Sequence, residues 1–340
     1  MTNINLESYF YLKSPLHHGS EQTVLKPIGL PEKAGNNYTP HKTEQEIMLY
    51  PNYAKQVRIP IVSGNSIRNK IRNLLVAPTL DAIDVDFSEL SKNMRDIFTS
   101  GGGMDKQEGD KNEKEKDKTK NEKVPLLIRD QETLRAAFPM LSLFGASYGN
   151  RMLSGQLKVG IAKPIFIENQ HLFDGRKGNI HYTDDILYYQ MATRAEVNRD
   201  AMKDGDISKQ NIYYYEVASS GLEFRHRIIG ENLSDIELSA LQLALDLFKE
   251  KAYLGGKTST GYGYITTDEW YQDTGVSSDL YLNWLNENKV VISEYLSYWD
   301  NPKKLMKDEK TIKWDEKLTT KLDELISERR SNIKEKLPYL

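Results

Sequence analysis

Cysteine is missing from all 340 residues. Its absence excludes a disulfide scaffold and every zinc site built on thiolates. Histidine is sparse, six residues in all, and no pair of them has a usual metal-ligand spacing. His41 and Glu44 are neighbours, but in a segment without legible shape. No metal and no cofactor are therefore expected. No apolar run is long enough to cross a membrane. The first twelve residues alternate polar and apolar and lack the apolar block of a secretory leader. A cytoplasmic protein with no membrane partner is expected. Neither sign of charge dominates: Lys and Arg number 46, Asp and Glu 49. With no global basic excess, any surface for a polyanion must come from local segregation of charge.

Apolar residues make up 39% of the chain, enough for a sizeable core. Ile4, Leu6, Ser8, Phe10 and Leu12 alternate with polar neighbours, the period of a strand with one buried face. Residues 17–53 are rich in Gly, Pro, Asn and Lys and read as loop. Ile67, Ile71, Leu74 and Leu75 then recur at helical spacing, with Ser63 or Asn65 as cap and Pro78 as stop. Residues 79–100 read as a second helix around Leu90 and Met94. The Lys/Glu/Asp/Asn run at 101–123 has too little apolar surface to fold and reads as a disordered insertion. Residues 157–167 and 222–229 read as strands. Residues 181–217 read as an extended hairpin-like insertion with paired and tripled tyrosines. Ser234-Asp235-Ile236-Glu237 is a capping box that opens a helix through Leu241, Leu245 and Phe248, with Gly255 at its end. Residues 261–267 read as a final strand, and the chain beyond 270 as helical, with Trp284, Trp299 and Trp314 as subdomain core or subunit contact. The order β-α-β-β-α-β predicts an α+β protein with a ferredoxin-like, RRM-like palm over 1–270, carrying insertions, and a helical region at 271–340. In such a palm the first and third strands are central, and RNA-recognition domains bind on that face.

Two segments carry candidate binding chemistry. In Ser63-Gly64-Asn65-Ser66-Ile67-Arg68, a turn runs into a helix start, where free amides favour phosphate. Arg68 and Arg72 are four apart and share one face. The bland alternative is a capped amphipathic helix with a solvated basic side. In residues 255–264, four glycines surround Lys257, Thr258 and Ser259, which offer phosphate donors, and Tyr262, which can stack on a base. Gly256-Lys257-Thr258 imitates part of a P-loop, but Lys251 stands where the earlier glycine is required, and the segment follows a helix rather than a strand. The bland alternative there is a flexible connection.

These segments resemble the RAMP superfamily of CRISPR backbone subunits. "SGNSIRNKIR" is similar to that family's "PGSSIRGALR" element and "GGKTSTGYGY" to its C-terminal glycine-rich loop. "SPLHHGSE", at residues 14–21, is similar to its "LHIGG" turn. The stretch from Ala192 to Phe224 resembles its thumb insertion. Within the superfamily the chain is most similar to the Cas-seven-like subunit of type IV systems. The resemblance implies an RNA-binding, non-enzymatic subunit that polymerises along the guide. The implied partners are CRISPR RNA, target DNA or RNA, other copies of itself in a filament, and other effector subunits. It implies RNA contact by His18, Ser63, Asn65, Ser66, Arg68 and Arg72. It also places Arg194, Asn198 and Arg199 in the thumb, and Lys257, Thr258, Ser259 and Tyr262 in the glycine-rich loop. The sequence departs from the family at Asn69, where glycine is common, and in its charged insertion.

Two enzymatic alternatives stay open. In type III relatives an Asp after the first strand cuts target RNA, but residues 16–41 hold no Asp; Glu21 and Glu32 are the nearest carboxylates. A guide-processing endoribonuclease would use a His near neutral pKa, and His17-His18 stands in the right place. Adjacent residues of an extended chain point to opposite sides, so the two do not readily act as a pair. A third alternative is a monomeric RNA-recognition domain with a helical appendix.

Overall fold

The computed structural model describes residues 2–20, 38–102, 128–148, 151–195, 210–300 and 316–334. The insertion at 103–123, Glu21, Glu32, Asn198, Arg199 and Trp314 lie outside them.

In chain order the elements are β1 (Thr2–Leu12), β2 (Tyr38–Thr39), β3 (Thr43–Tyr50), β4 (Tyr53–Pro60), α1 (Gly64–Ala82) and α2 (Lys92–Ser100). Then come α3 (Ile128–Ala137), α4 (Pro139–Phe144), β5 (Ala146–Tyr148), β6 (Arg151–Leu153), β7 (Leu157–Val159) and β8 (Lys163–Pro164). The chain continues through β9 (Leu187–Ala195), β10 (Gln210–Ala218), β11 (Glu223–Leu233), α5 (Asp235–Glu250), β12 (Ile265–Glu269), α6 (Asp279–Asp300) and α7 (Glu316–Lys334).

The main sheet runs β12-β1-β11-β7, with β8 also paired to β11, and its measured pairings are antiparallel. Helix α1 falls between the first strand and β7, and α5 between β11 and β12. That order and these two crossovers are the ferredoxin-like βαββαβ arrangement. β1 alternates as its sequence requires: Leu6, Ser8, Phe10 and Leu12 are buried, and their neighbours are partly exposed. Phe10 stacks on Phe224 of β11 at 5.7 Å between ring centres. Ile67, Ile71 and Leu75 of α1 and Leu241, Leu245 and Phe248 of α5 fill the same core. The capping box at α5 is complete: Glu237 accepts from the Ser234 amide at 2.8 Å, and the Ser234 hydroxyl accepts from the Glu237 amide. α6 and α7 pack onto this palm rather than standing apart, with Tyr281, Leu285, Ile292 and Leu322 joined to its buried cluster.

Several elements differ from their sequence signatures. Pro78 does not end α1, which runs on to Ala82. An interior proline costs about 3 kcal/mol, yet Thr79 and Leu80 just beyond it are buried, and the Thr79 hydroxyl meets the Tyr281 hydroxyl at 2.9 Å. Tertiary packing outweighs the lost helix bond. The second helix is shorter than residues 79–100 and starts where Ser91 caps it. α5 ends at Glu250, five residues before the expected Gly255. The stretch expected as loop at 17–53 holds β2, β3 and the Pro51-Asn52 turn of the long hairpin β3–β4. Its alternation is masked because the exposed face of β3 also carries apolar side chains, Ile47 and Leu49.

The palm's open sheet face is not a free RNA platform. Arg225 of β11 bonds Glu7 of β1 and, at 2.6 Å, Asp174. Arg176 bonds Glu223 and Glu269, and its guanidinium lies 4.3 Å from the Tyr9 ring centre. On the face an RNA-recognition domain would offer, these charged side chains are engaged in the chain's own ion pairs.

Candidate nucleic-acid interface

Three segments far apart in sequence meet at one edge of the palm. The turn after β1 is the hub. Its His17 carbonyl accepts the Gly256 amide at 2.7 Å, which fixes the glycine-rich loop against it. This approach needs glycine at 255: φ is +74°, and a Cβ there would lie 2.4 Å from the His17 oxygen. Gly263, at the other end of the loop, has the same φ, and its Cβ would meet the Leu254 carbonyl at 1.9 Å. Between them Lys257 adopts a left-handed conformation, and Thr258, Ser259 and Thr260 form an exposed 3-10 turn.

His18 joins the same turn to the start of α1. Its Nε2 accepts the Ser63 backbone N–H at 3.2 Å and lies 3.2 Å from the Ser63 hydroxyl. Accepting from an amide requires Nε2 to carry no proton, so His18 is neutral here. Burial lowers its pKa to about 4, helped by the charges of Lys42 and His17. Ser63 caps α1 by accepting from the Ser66 amide. Asn65 is exposed in the first turn, and Ser66 is partly exposed beside it. Gly64 is wedged under the Val159 carbonyl, where a Cβ would come within 2.1 Å.

The base of the β9–β10 hairpin closes the third side. His17 Nδ1 lies 3.0 Å from the Glu216 carbonyl, and its ring meets Tyr215 edge-on at 5.1 Å. Burial lowers the His17 pKa too. The Tyr215 hydroxyl is 3.1 Å from that of Tyr262, which also donates to Gln190. Lys257 Nζ sits 4.1 Å from the Tyr215 ring centre, a cation–π contact. Beneath, buried Glu216 bonds Arg58 and accepts the His41 amide at 2.9 Å. β10 also pairs with β2, and Ala218 at its end bridges Leu16 just after β1, which ties the hairpin base to the palm.

The sequence-selected residues are thus split. His18, Ser63, Asn65, Ser66, Lys257, Thr258, Ser259 and Tyr262 converge on this edge. Arg194 lies in β9 opposite Asn211, out along the hairpin. Arg72 does not reach the surface. It is 2% exposed, and its guanidinium donates to the Phe144 and Gly145 carbonyls at 2.6 Å each. Arg68 donates to the Leu157 carbonyl at 2.8 Å and is half-buried. Four-residue spacing does place the two arginines on one face, but that face packs against α4 and β7. Gln190, Tyr215 and Glu216 belong to the edge and were not selected by spacing. The Tyr213-Tyr214-Tyr215 run was their one sequence signal. Among the described residues no three His, Asp or Glu side chains are grouped as metal ligands, and no helix is long and apolar enough to cross a membrane.

Comparison with known proteins gives two positive findings. The model of the RAMP superfamily matches residues 9–266. A chain of a solved type IV-B CRISPR complex is similar at 16% identity, over 80% of this chain and 92% of that one, with a TM-score of 0.47. No curated protein matches.

Proposed function

This chain belongs to the RAMP superfamily, and from that premise we propose that it is a CRISPR effector backbone subunit, of the type IV kind, that binds guide RNA along the edge described above. One observation carries the reading. The turn after β1, the N-terminus of α1 and the glycine-rich loop are hydrogen-bonded into one exposed surface. Each offers groups suited to phosphate: helix-start amides, Ser and Thr hydroxyls, and Lys257. The β9–β10 hairpin stands at its border with exposed Tyr188, Tyr189, Met191 and Tyr213. Such side chains can wedge against bases, at about 1–3 kcal/mol per stacked base. In this reading the hairpin is a thumb that reaches over guide held by a neighbouring copy. The subunit itself performs no cleavage, and it works with other effector subunits on a DNA or RNA target.

Assembly is the test. With full-length guide RNA the protein forms long, regularly spaced ribonucleoprotein visible by electron microscopy. Replacing residues 191–213 by a short Gly/Ser linker leaves short-RNA binding intact and abolishes the regular assembly. Assembly that survives the replacement refutes the thumb, and a wild-type protein that stays monomeric on long RNA favours a lone RNA-recognition domain. Labelled target RNA on a gel decides the enzymatic alternative: regular cleavage, lost in Glu21→Ala, would make it a type III-like nuclease.

A further inference from the structure

A sheet that does not close has edges, and an edge strand offers its outward amides and carbonyls to any chain that can lie beside it. Most edges of this protein are blunted. In the main sheet β12 has five residues and carries Asp268 and Glu269, while β7 and β8 on the other side have three and two. β3 carries Glu44 and Glu46, and β4 carries Lys55, Arg58 and a terminal Pro60. β2, β5 and β6 are two or three residues long. β9 differs from all of these. It is the outer strand of the sheet β2-β10-β9. It runs nine residues, Leu187–Ala195, with no proline, no lysine and no carboxylate. Its register with β10 is unbroken from Leu187↔Ala218 to Ala195↔Gln210, so no bulge twists the edge away. Met191 is 58% exposed, and Tyr188, Tyr189, Ile212 and Tyr213 are exposed as well. Tyr213 lies beside Ala192 and Tyr214 beside Met191, so side chains of β10 continue the apolar rows on both faces of the hairpin.

What fits such an edge is another strand, which supplies a donor and an acceptor at every second residue. Among the described strands only β9 combines this length with an edge free of blunting charge, so its counterpart is β9 of a second copy. The sequence suits that pairing. Antiparallel pairing over the full length sets Met191 opposite Met191, Gln190 opposite Ala192, Tyr189 opposite Thr193, Tyr188 opposite Arg194 and Leu187 opposite Ala195. Arg194 is the one charge in β9, and Glu216, the one charge in β10, is buried at the hairpin base against Arg58. No like charges therefore meet across the pair, and aromatic side chains lie opposite small or polar ones. A net charge of −3 adds little repulsion between whole copies. A two-fold axis at Met191 closes the contact at two copies. The two three-stranded sheets then become one of six strands. A single strand pair buries less than the about 1,200 Å² at which stable interfaces begin, so the dimer is reversible.

We propose that two copies of the RNA-free chain pair antiparallel through β9, about a two-fold axis at Met191. The contact rests on the backbone edge of the hairpin and not on the RNA-binding reading, so each stands or falls alone. A row of subunits along a guide joins unlike surfaces head to tail and stays open to further copies. The β9 contact joins like to like and ends at two, which makes it a closed form of the free protein.

Sedimentation velocity of the full chain without RNA, from about 1 to 100 μM, tests this. The wild-type mass rises with concentration from that of one chain towards that of two. Met191→Lys sets two ammonium groups face to face at the axis and stays monomeric, whereas Leu49→Lys, at an exposed apolar position of β3, dimerises like wild type. Because the chain has no cysteine, Met191→Cys reports the register. Directly opposed Cα atoms of an antiparallel pair lie about 4.5–5.5 Å apart, inside the roughly 4.4–6.8 Å that a disulfide spans. Under mild oxidant Met191→Cys becomes a covalent dimer on a non-reducing gel. It does so at least about tenfold faster than Val290→Cys, a similarly exposed position on α6, because pairing raises the effective concentration of its thiols. A melting curve accompanies each variant. If Met191→Lys melts early, Thr193→Lys, in the same row of β9, carries the test. The pairing is overturned by a wild type that stays monomeric over the whole series, by lysine variants that dimerise like wild type, or by Met191→Cys that cross-links no faster than Val290→Cys.

Discussion

Arg72→Ala separates a structural arginine from a binding one. The guanidinium donates to two carbonyls, Phe144 and Gly145, at 2.6 Å each, and lies 5.7 Å from the Phe144 ring centre. Its Nε has no hydrogen-bond partner, so the two carbonyls are its main anchors. Alanine leaves both acceptors buried and unpaired, at about 1–3 kcal/mol each. It also opens space beside Gly101, whose ideal Cβ position is 2.2 Å from Arg72 Nη1. A total near 4 kcal/mol follows. At about 2.1 cal/mol/K per residue, unfolding entropy converts that into a drop of about 6 °C in Tm. Thermal melting followed by circular dichroism measures it. RNA affinity, taken well below the variant's Tm, stays unchanged, as does its salt slope. A variant that melts like wild type but binds RNA more weakly with a shallower slope would refute the reasoning and return Arg72 to the interface.

Gly255→Ala places a Cβ 2.4 Å from the His17 oxygen at positive φ, where a side chain costs about 1–2 kcal/mol before any clash. The expected result is weaker RNA binding with a modest loss in Tm, while Gly256→Ala, with no atom nearer than 3.5 Å, is tolerated; equal behaviour of the two would remove the close approach from the account. Acid should destabilise the protein through its neutral histidines. His18 and His226 have pKa values lowered to about 4, and His41 to about 3, all by burial. The unfolded chain takes up these protons near 6.5 and the folded chain does not, so this stability is whole above 6.5 and is lost as pH falls towards 4. Each fully buried histidine adds up to about 1.4 kcal/mol per pH unit across that window. Melting from pH 8 to 5 shows the fall, and His41→Gln should make it shallower; a flat profile contradicts the neutral assignment.

The palm was legible because its signals are local. Alternation in β1 and β11, the capping box at Ser234 and the helical spacing of Ile67, Ile71 and Leu75 each depend on neighbours in sequence. The hairpin β3–β4 was not legible, since Ile47 and Leu49 break the expected polar side of the alternation. Pro78 misled because Thr79 and Leu80 are held by α6, a contact some 200 residues away in sequence. The site was half legible. Turn, cap and glycine-rich loop announced themselves by residue type. Which flank of α1 faces that loop depends on how α5 packs, and four-residue spacing carries no information about it. Arg68 and Arg72 share a face as their spacing requires, but that face packs against α4 and β7.

The root of the β9–β10 hairpin has a mechanical consequence. β10 is at once the second rail of the projecting arm, the partner of β2 and, through the Glu216 carbonyl, the bracket from which His17 hangs. The His17 carbonyl then carries the glycine-rich loop by way of Gly256. Arm and loop are thus two ends of one short linkage, with the Arg58–Glu216 pair as its pivot. Two hydrogen bonds, from His17 to the Glu216 carbonyl and from Gly256 to the His17 carbonyl, join β10 to the loop, so whatever steadies the hairpin base also steadies the loop.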